Sequence, residues 1–499
     1  MNFKICLSAA AALTLLCLDA SAQTVTNTEE LLGAIANAEP GDTIELAAGT
    51  YRVNQNISVN RPGPVTLTGQ DAVIEFDALE GFKVSAPDWT FQNLTIRGVC
   101  ADDNDCEHAF HIVGGADNTT IRGCGLHDFN AQIKANGEGE PRQFPDNVLL
   151  EFNEFSDTRP RQTANPVTKI DVVGGRDWVI RHNIIRDFVK GEGNRISYGA
   201  FLKGNSRNGV FDSNFVACSN GFEDPGAVTI GLSLGGGGTS PDSICEDQSC
   251  TPEHQDGLLQ NNIIANCSDV GIYINKGAGT SILNNTLVDT SGIDIRFDSS
   301  TAIIANNFVD GRVRERDSGT ISDSSNNIVE IDPGQYFQDA PNLNFGLLSA
   351  EEVVDQGRDE NVTHDFCGRA RTAPLDIGAL EYSLGAPCVI ATNLEDLLDS
   401  KVPSQNNNNN PNNPNNTNSG TNSSNSNQTN GTNGSTDTNN ANNTNSGESN
   451  NSNNQETFED DVELENTGCG CASTDGPPWT IVILLIGFGL LRRKRTPLT

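Results

Sequence analysis

Between residues 118 and 311 short runs of alternating apolar and polar residues recur to one template. The copies are NTTIRGCGLHDF (118–129), NVLLEFNEFSDT (147–158), DWVIRHNIIRDF (177–188), NGVFDSNFVACS (208–219), DGLLQNNIIANC (256–267), GTSILNNTLVDT (279–290) and STAIIANNFVDG (300–311). Each reads as a turn residue, two spacers, an apolar residue, two spacers, usually Asn, one spacer and a second apolar residue. Alternation at period two, rich in β-branched residues, predicts strands rather than helices. Gly, Asn and Asp break the runs, as residues that tolerate positive φ do. Successive copies start 29, 30, 31, 48, 23 and 21 residues apart.

Repetition at this period marks a solenoid, and rungs of short strands and tight turns make an all-β parallel β-helix. The Asn column is Asn153, Asn183, Asn214, Asn262, Asn285 and Asn306, with Cys124 in the first copy. Stacked amides in such a column bond to the next rung's turn. A second strand belongs to each repeat: HAFHIVGG (108–115), VTKIDVVGG (167–175), YGAFLKGN (198–205), VTIGLSLGGGG (228–238), GIYINKG (271–277) and GIDIRFD (292–298). With Ile170, Val172, Leu202, Ile272, Ile274, Ile293 and Ile295 inward, the alternation turns His111, Lys169, Asp171, Lys203, Ser233, Tyr273, Asn275, Asp294 and Arg296 outward, with Lys276 at a strand end. Inserts at 130–147 and 235–257 are placed to wall this column.

Residues 27–38 (NTEELLGAIANA) read as a capped amphipathic helix covering the open apolar end of the coil. The stretch EPGDTIELAAGTYRV (39–53) resembles the opening rung of secreted bacterial right-handed β-helices of the pectin-lyase-like group. RTAPLDIGALEY (371–382) resembles their closing segment. The resemblance brackets residues 39–382 and implies a single-stranded right-handed parallel β-helix.

Residues 1–22 read as an export signal: Lys4, the apolar run ICLSAAAALTLLCL, and a small-residue site at Ala20-Ser21-Ala22. The domain then spans 23–390, followed by a connector (391–404). Residues 405–457, nearly all Asn, Ser, Thr, Gly, Gln and Pro, cannot bury a core and read as a disordered tether. An acidic segment follows (458–467). Residues 468–499 hold Cys469-Gly-Cys471, an apolar run (480–491) and Arg492-Arg493-Lys494-Arg495. This order resembles the C-terminal sorting tag of myxobacterial surface proteins, which implies attachment at the bacterial cell surface. A plain C-terminal membrane anchor is the alternative, and the apolar run is short for a full span of ~20 residues. The chain is expected to be a monomer.

Formal net charge is −35, from 31 Lys plus Arg against 66 Asp plus Glu. That balance excludes non-specific nucleic-acid binding. It also requires a local cationic groove if the ligand is an anionic polysaccharide. Export permits disulfides, and the spacing suggests Cys100–Cys106, Cys245–Cys250, Cys218–Cys267 and Cys367–Cys388.

The outward column suits a uronate lyase, which needs a base and a cation to hold the enolate. Lys203 is the candidate base, Arg296 the cation, and His111 or Tyr273 the proton donor. FLKGNSRNGVFDSNFV (201–216) resembles the lysine-bearing rung of polysaccharide lyase family 6, the alginate-lyase and chondroitinase B type, with Lys203 at the base. The sequence departs from that family at Ile196 and Tyr198, where acidic calcium ligands are expected, and at Gly231–Gly235, which carries no cation. A solvated strand lysine is the other reading of Lys203. In VCADDNDCEHAF (99–110), Asp103, Asp105 and Glu107 are candidate calcium ligands or a solvated acidic loop. Two functions follow: a carbohydrate-active enzyme, lyase-like, on an extracellular polysaccharide, or a non-catalytic surface adhesin or glycan-binding protein.

Overall fold

The computed structural model describes residues 22–400, apart from 223, 237–238, 349–350 and 383–387. The export signal, the tether, the acidic segment and the sorting tag lie outside the described residues.

The chain winds through three long parallel sheets in turn. Sheet one has 12 strands, sheet two 11 and sheet three 10. Each strand pairs with its counterpart one rung earlier and one rung later, as Leu149–Glu151 pairs with Thr120–Arg122 and Val179–Arg181. The architecture is therefore a parallel β-helix, and one apolar core runs along its axis. Ile170, Val172, Leu202, Ile272, Ile274, Ile293 and Ile295 all point into it.

The turn from sheet one to sheet two explains the asparagines. Asn183 Oδ1 accepts from Asn153 N at 2.9 Å and from Asn153 Nδ2 at 3.0 Å, while Asn183 Nδ2 donates to Leu150 O at 2.9 Å. The same pattern continues through Asn214, Asn262 and Asn285, and Cys124 N starts it by donating to Asn153 Oδ1. Here the structure corrects the sequence reading. The ladder residue of the last copy is Asn307, not Asn306, and the ladder runs on to Asn327. In the Asn-Asn doublets the first residue takes the left-handed bend, with φ of 54°, 54° and 57° at Asn261, Asn284 and Asn306. Only the second residue can then turn its amide inward.

The N-terminal helix, Thr28–Ala36, buries Leu31, Ala34 and Ile35 over the first rung. Asn27 Oδ1 accepts from Glu30 N at 3.0 Å and Glu30 Oε2 accepts from Thr26 N at 2.7 Å, a reciprocal cap. RTAPLDIGALEY lies elsewhere than expected. It does not close the coil's end but covers the outer face of sheet two. Gly378 N donates to Asn306 O at 2.8 Å and Ala379 N to Thr286 Oγ1 at 2.9 Å. The reason is apolar: Ile184, Phe215, Ile263 and Phe308 face outward from sheet two and pack against Phe337, Phe345, Ile377 and Leu380. The connector holds a further helix, Leu394–Ser400, whose first N–H donates to Glu154 Oε2 at 2.8 Å.

All four expected disulfides form, and Cys124 stays a buried thiol. Four disulfides place the folded part in an oxidising compartment, outside the cytoplasm. Among the described residues no helix is long and apolar enough to cross a membrane.

Candidate functional site

Sheet three carries the outward column. Its central file runs Lys83, His111, Lys134, Asp171, Phe201, Ser233, Tyr273, Asp294, Arg314. The file beside it holds Asn136, Val173, Lys203, Asn275, Arg296 and Arg316. Lys134 was hidden in the sequence, because AQIKAN fell in the supposed insert 130–147. It forms a sheet-three strand, Ala131–Asn136, and the insert proper is the hairpin beyond it. That hairpin and the second insert form one wall: Arg142 Nη1 donates to Ser243 O at 2.7 Å. Lys83 Nζ ties the hairpin to the sheet through Glu138, at 2.8 Å.

The four residues proposed for catalysis fall into three places. His111 is fixed at both ring nitrogens, each 2.7 Å from an acceptor: Glu80 Oε1 and Asn136 Oδ1. Tyr273 and Arg296 are joined, with Arg296 Nη1 donating to Tyr273 Oη at 3.2 Å, and Arg296 also pairs with Asp317. Lys203 stands between these groups. Arg296 is three rungs away in the same file, about 14 Å at the ordinary strand spacing. His111 is three rungs away on the other side. The four therefore do not assemble around one bond.

The surroundings of Lys203 are the most unusual on the face. It is 7% exposed. Its ammonium lies 4.4 Å from the Phe201 ring centroid and, among the described residues, has no hydrogen-bond or ion-pair partner. Burial lowers its pKa, Asp171 and Glu253 oppose that shift, and Lys134 adds to it. Asp171, one rung away, pairs through Oδ2 with the Lys134 ammonium at 2.9 Å, and its buried Oδ1 has no partner among the described residues. Glu253, in the second insert, is buried; its Oε2 accepts from Gly204 N at 2.7 Å and Thr239 Oγ1 at 2.9 Å. An unpaired cation and an unpaired anionic oxygen thus sit one rung apart, walled by Gly236 against the Lys203 stem. A buried polar atom left unpaired costs roughly 1–3 kcal/mol, so the pair is poised to take up a polar ligand. Tyr198, Phe201 and Tyr273 add ring surface on the same face, with Tyr198 edge-on to Phe201 at 5.4 Å.

The proposed calcium ligands do not converge. Asp103–Asp105 is a turn of 3-10 helix, not a strand, with Glu107 beyond it, and the three carboxylates do not form a close group. Asp103 is buried and taken by Arg159 (2.6 and 2.7 Å), Arg161 (3.0 Å) and Gln162 N (2.6 Å). Glu107 accepts from Asn130 and Asn165, and Asp105 is exposed. The one group of three ligand atoms close together among the described residues is Cys245, Cys250 and Glu253, and its sulfurs are joined as a disulfide. These donor sets do not fit calcium.

A family model described as the right handed beta helix region matches residues 80–309. No curated protein matches the chain. Among solved structures, the chain is similar to the pectate lyase Pel9A: 14% identity, 70% of this chain and 90% of that one, TM-score 0.49. It is similar to a rhamnogalacturonan lyase at 14% identity, covering 76% and 98%, TM-score 0.46. A family 6 polysaccharide lyase from Pseudopedobacter saltans is similar at 13% identity, covering 66% and 96%, TM-score 0.32. The fold is the right-handed parallel β-helix expected from the opening rung.

Proposed function

We propose that the outer face of sheet three binds an extracellular uronate-containing polysaccharide and cleaves it by β-elimination, with Lys203 as the base. The observation that carries this reading is the unpaired Lys203 ammonium beside the unpaired Asp171 Oδ1, in a chain whose net charge is strongly negative. Lys83, Lys134, Arg296, Arg314 and Arg316 stand on the same face, each already paired with a carboxylate, so an anionic polymer competes with Glu138, Asp171, Asp317 and Asp294 for them.

In the reaction, neutral Lys203 takes the proton beside the uronate carboxylate. The carbanion's charge passes into that carboxylate, where Lys134 is the nearest outward cation on the N-terminal side. The glycosidic C–O bond then breaks, a C=C bond forms, and the leaving oxygen takes the proton now on Lys203, which returns the base to its neutral form. Arg296, held by Tyr273 and Asp317, acts at a remote sugar rather than at the scissile bond. Burial serves the base by raising the neutral fraction of Lys203 near neutral pH.

Residues 1–22 and 468–499 would export the protein and hold it at the bacterial surface, with 405–457 as the tether. A binding surface without turnover is the second reading, favoured by the internal bonds that lock His111, Tyr273 and Arg296. Incubation of the protein with a panel of uronate polymers, followed by mass spectrometry, separates the two. Unsaturated oligosaccharides support elimination. Bound but intact polymer supports the second reading, and saturated products would replace elimination with hydrolysis.

A further inference from the structure

Away from the outer face, a second lysine–carboxylate pair is sealed inside the coil. Lys169 lies on the strand Val167–Val173, and Asp157 follows the strand Glu154–Ser156. Lys169 Nζ is 2.6 Å from Asp157 Oδ2, and neither side chain has any exposed surface. The amine also donates to Phe129 O at 2.9 Å. On the other oxygen, Gln132 Nε2 donates to Asp157 Oδ1 at 3.3 Å. A third carboxylate, Asp128, is 8% exposed and acts electrostatically on both partners. Its Oδ1 accepts from Thr158 N at 2.7 Å and Thr158 Oγ1 at 2.9 Å. A cavity of about 160 Å³ lies beside it, lined by Asp128, Thr158, Arg159 and Arg161 among others.

A buried ion pair is an expensive way to fill a core, since desolvating two charges costs several kcal/mol each. An amide between the same two side chains removes both charges. We propose that Lys169 and Asp157 condense into an intramolecular isopeptide bond once the coil has closed around them. The Lys169 Nζ lone pair attacks Asp157 Cγ, whose carbonyl is polarised by the Gln132 amide on Oδ1. The nitrogen's surplus proton passes directly to the departing Oδ2 hydroxyl, which it faces at 2.6 Å. The Cγ–Oδ2 bond breaks, Nζ–Cγ remains, and one water leaves toward the cavity. Amine plus acid gives amide plus water, so no oxidant or energy source is needed. Burial supplies the protonation states: it pushes Asp157 up to about 6 and lowers Lys169, which brings the neutral pair within reach at near-neutral pH.

The bond would join positions twelve residues apart and tie sheet two to sheet three beneath the loop 158–166. A chain cut within that loop would stay covalently connected, which suits a protein exposed to extracellular proteases.

Peptide mapping of the full chain, reduced, alkylated and digested with trypsin, tests this. The expected result is peptide 143–161 joined to 162–176 in one branched species, lighter by one water than the two together, with no peptide ending at Lys169. Stoichiometric unlinked 143–161 and 162–169 would overturn the proposal and leave a buried ion pair only. Lys169→Met and Asp157→Ala abolish the link or the fold, so the second arm is Gln132→Leu, which removes the donor on Asp157 Oδ1 and leaves both reacting groups in place. At least tenfold more unlinked peptide is expected from folded Gln132→Leu, and linkage equal to wild type would overturn the assigned polarisation of the Asp157 carbonyl.

Discussion

Replacing Asn262 with leucine tests the axial ladder at its centre. The change removes two donations from Nδ2, to Phe211 O and Asn285 Oδ1, both at 2.9 Å. It also removes the acceptor of Asn214 N (3.0 Å) and of one Asn214 Nδ2 proton (2.9 Å). Asn285 Oδ1 keeps its bond from the backbone N–H of residue 262. Three buried groups are therefore orphaned: the Phe211 carbonyl, the Asn214 N–H and one Asn214 amide proton. At ~1–3 kcal/mol each, the lower half of that range totals about 3–6 kcal/mol. The buried leucine returns about 1–2 kcal/mol, for a net loss of about 1–5 kcal/mol. Gln260→Leu is the comparison, since it sits on the neighbouring strand and loses one half-buried bond to Asp212, about 0.5–1.5 kcal/mol. Guanidinium unfolding midpoints of the two variants give the ranking. Because each rung contacts only its neighbours, amide exchange should speed most in residues 208–219, 256–267 and 279–290. An Asn262→Leu midpoint at or above that of Gln260→Leu would refute the reasoning.

Reducing the Cys218–Cys267 bridge, or replacing both with serine, frees a 49-residue span and should cost about 2–4 kcal/mol, read as a lowered melting temperature. Burial depresses His254 to about 3 from an ordinary 6.5. The unfolded chain therefore binds the extra proton between those values. The stability owed to neutral His254 is whole above pH 6.5 and is lost as pH falls toward 3, so His254→Phe should flatten the melting temperature over that window. For catalysis the lowered Lys203 pKa has the opposite use. Turnover should rise with pH through a single ionisation below the ordinary lysine range, and a flat profile would remove Lys203 as the base.

Period-two alternation and the recurring asparagine exposed the coil, because a solenoid repeats its burial pattern at every rung. The same periodicity identified the inward isoleucines and most of the outward file on sheet three, but it turned Lys169 outward, whereas that side chain is fully buried against Asp157. It failed where spacing broke down. Ten residues, 137–146, separate AQIKAN from its Asn phrase at 147–158, so Lys134 reads as part of an insert. The Asn306-Asn307 doublet offered two frames, and only the positive φ of the first residue decides between them. Asp103, Asp105 and Glu107 alternate like a strand yet follow a 3-10 turn, and their carboxylates do not form a close group. Chemistry was legible only as a file of residues. Which members lack partners depends on loops such as 235–257, whose path alternation does not encode. The apolar outer face of sheet two was written in Phe215, Ile263 and Phe308, but its cover comes from 337–380, far away along the chain.

The most direct test of the central claim is turnover by Lys203→Ala on a uronate polymer that the wild-type protein degrades, with binding followed in parallel. The account predicts that the variant still binds the polymer but forms unsaturated product at least 100-fold more slowly, the ordinary yield of a positioned base being ~10²–10⁴. Undiminished release of unsaturated sugar by Lys203→Ala would contradict it.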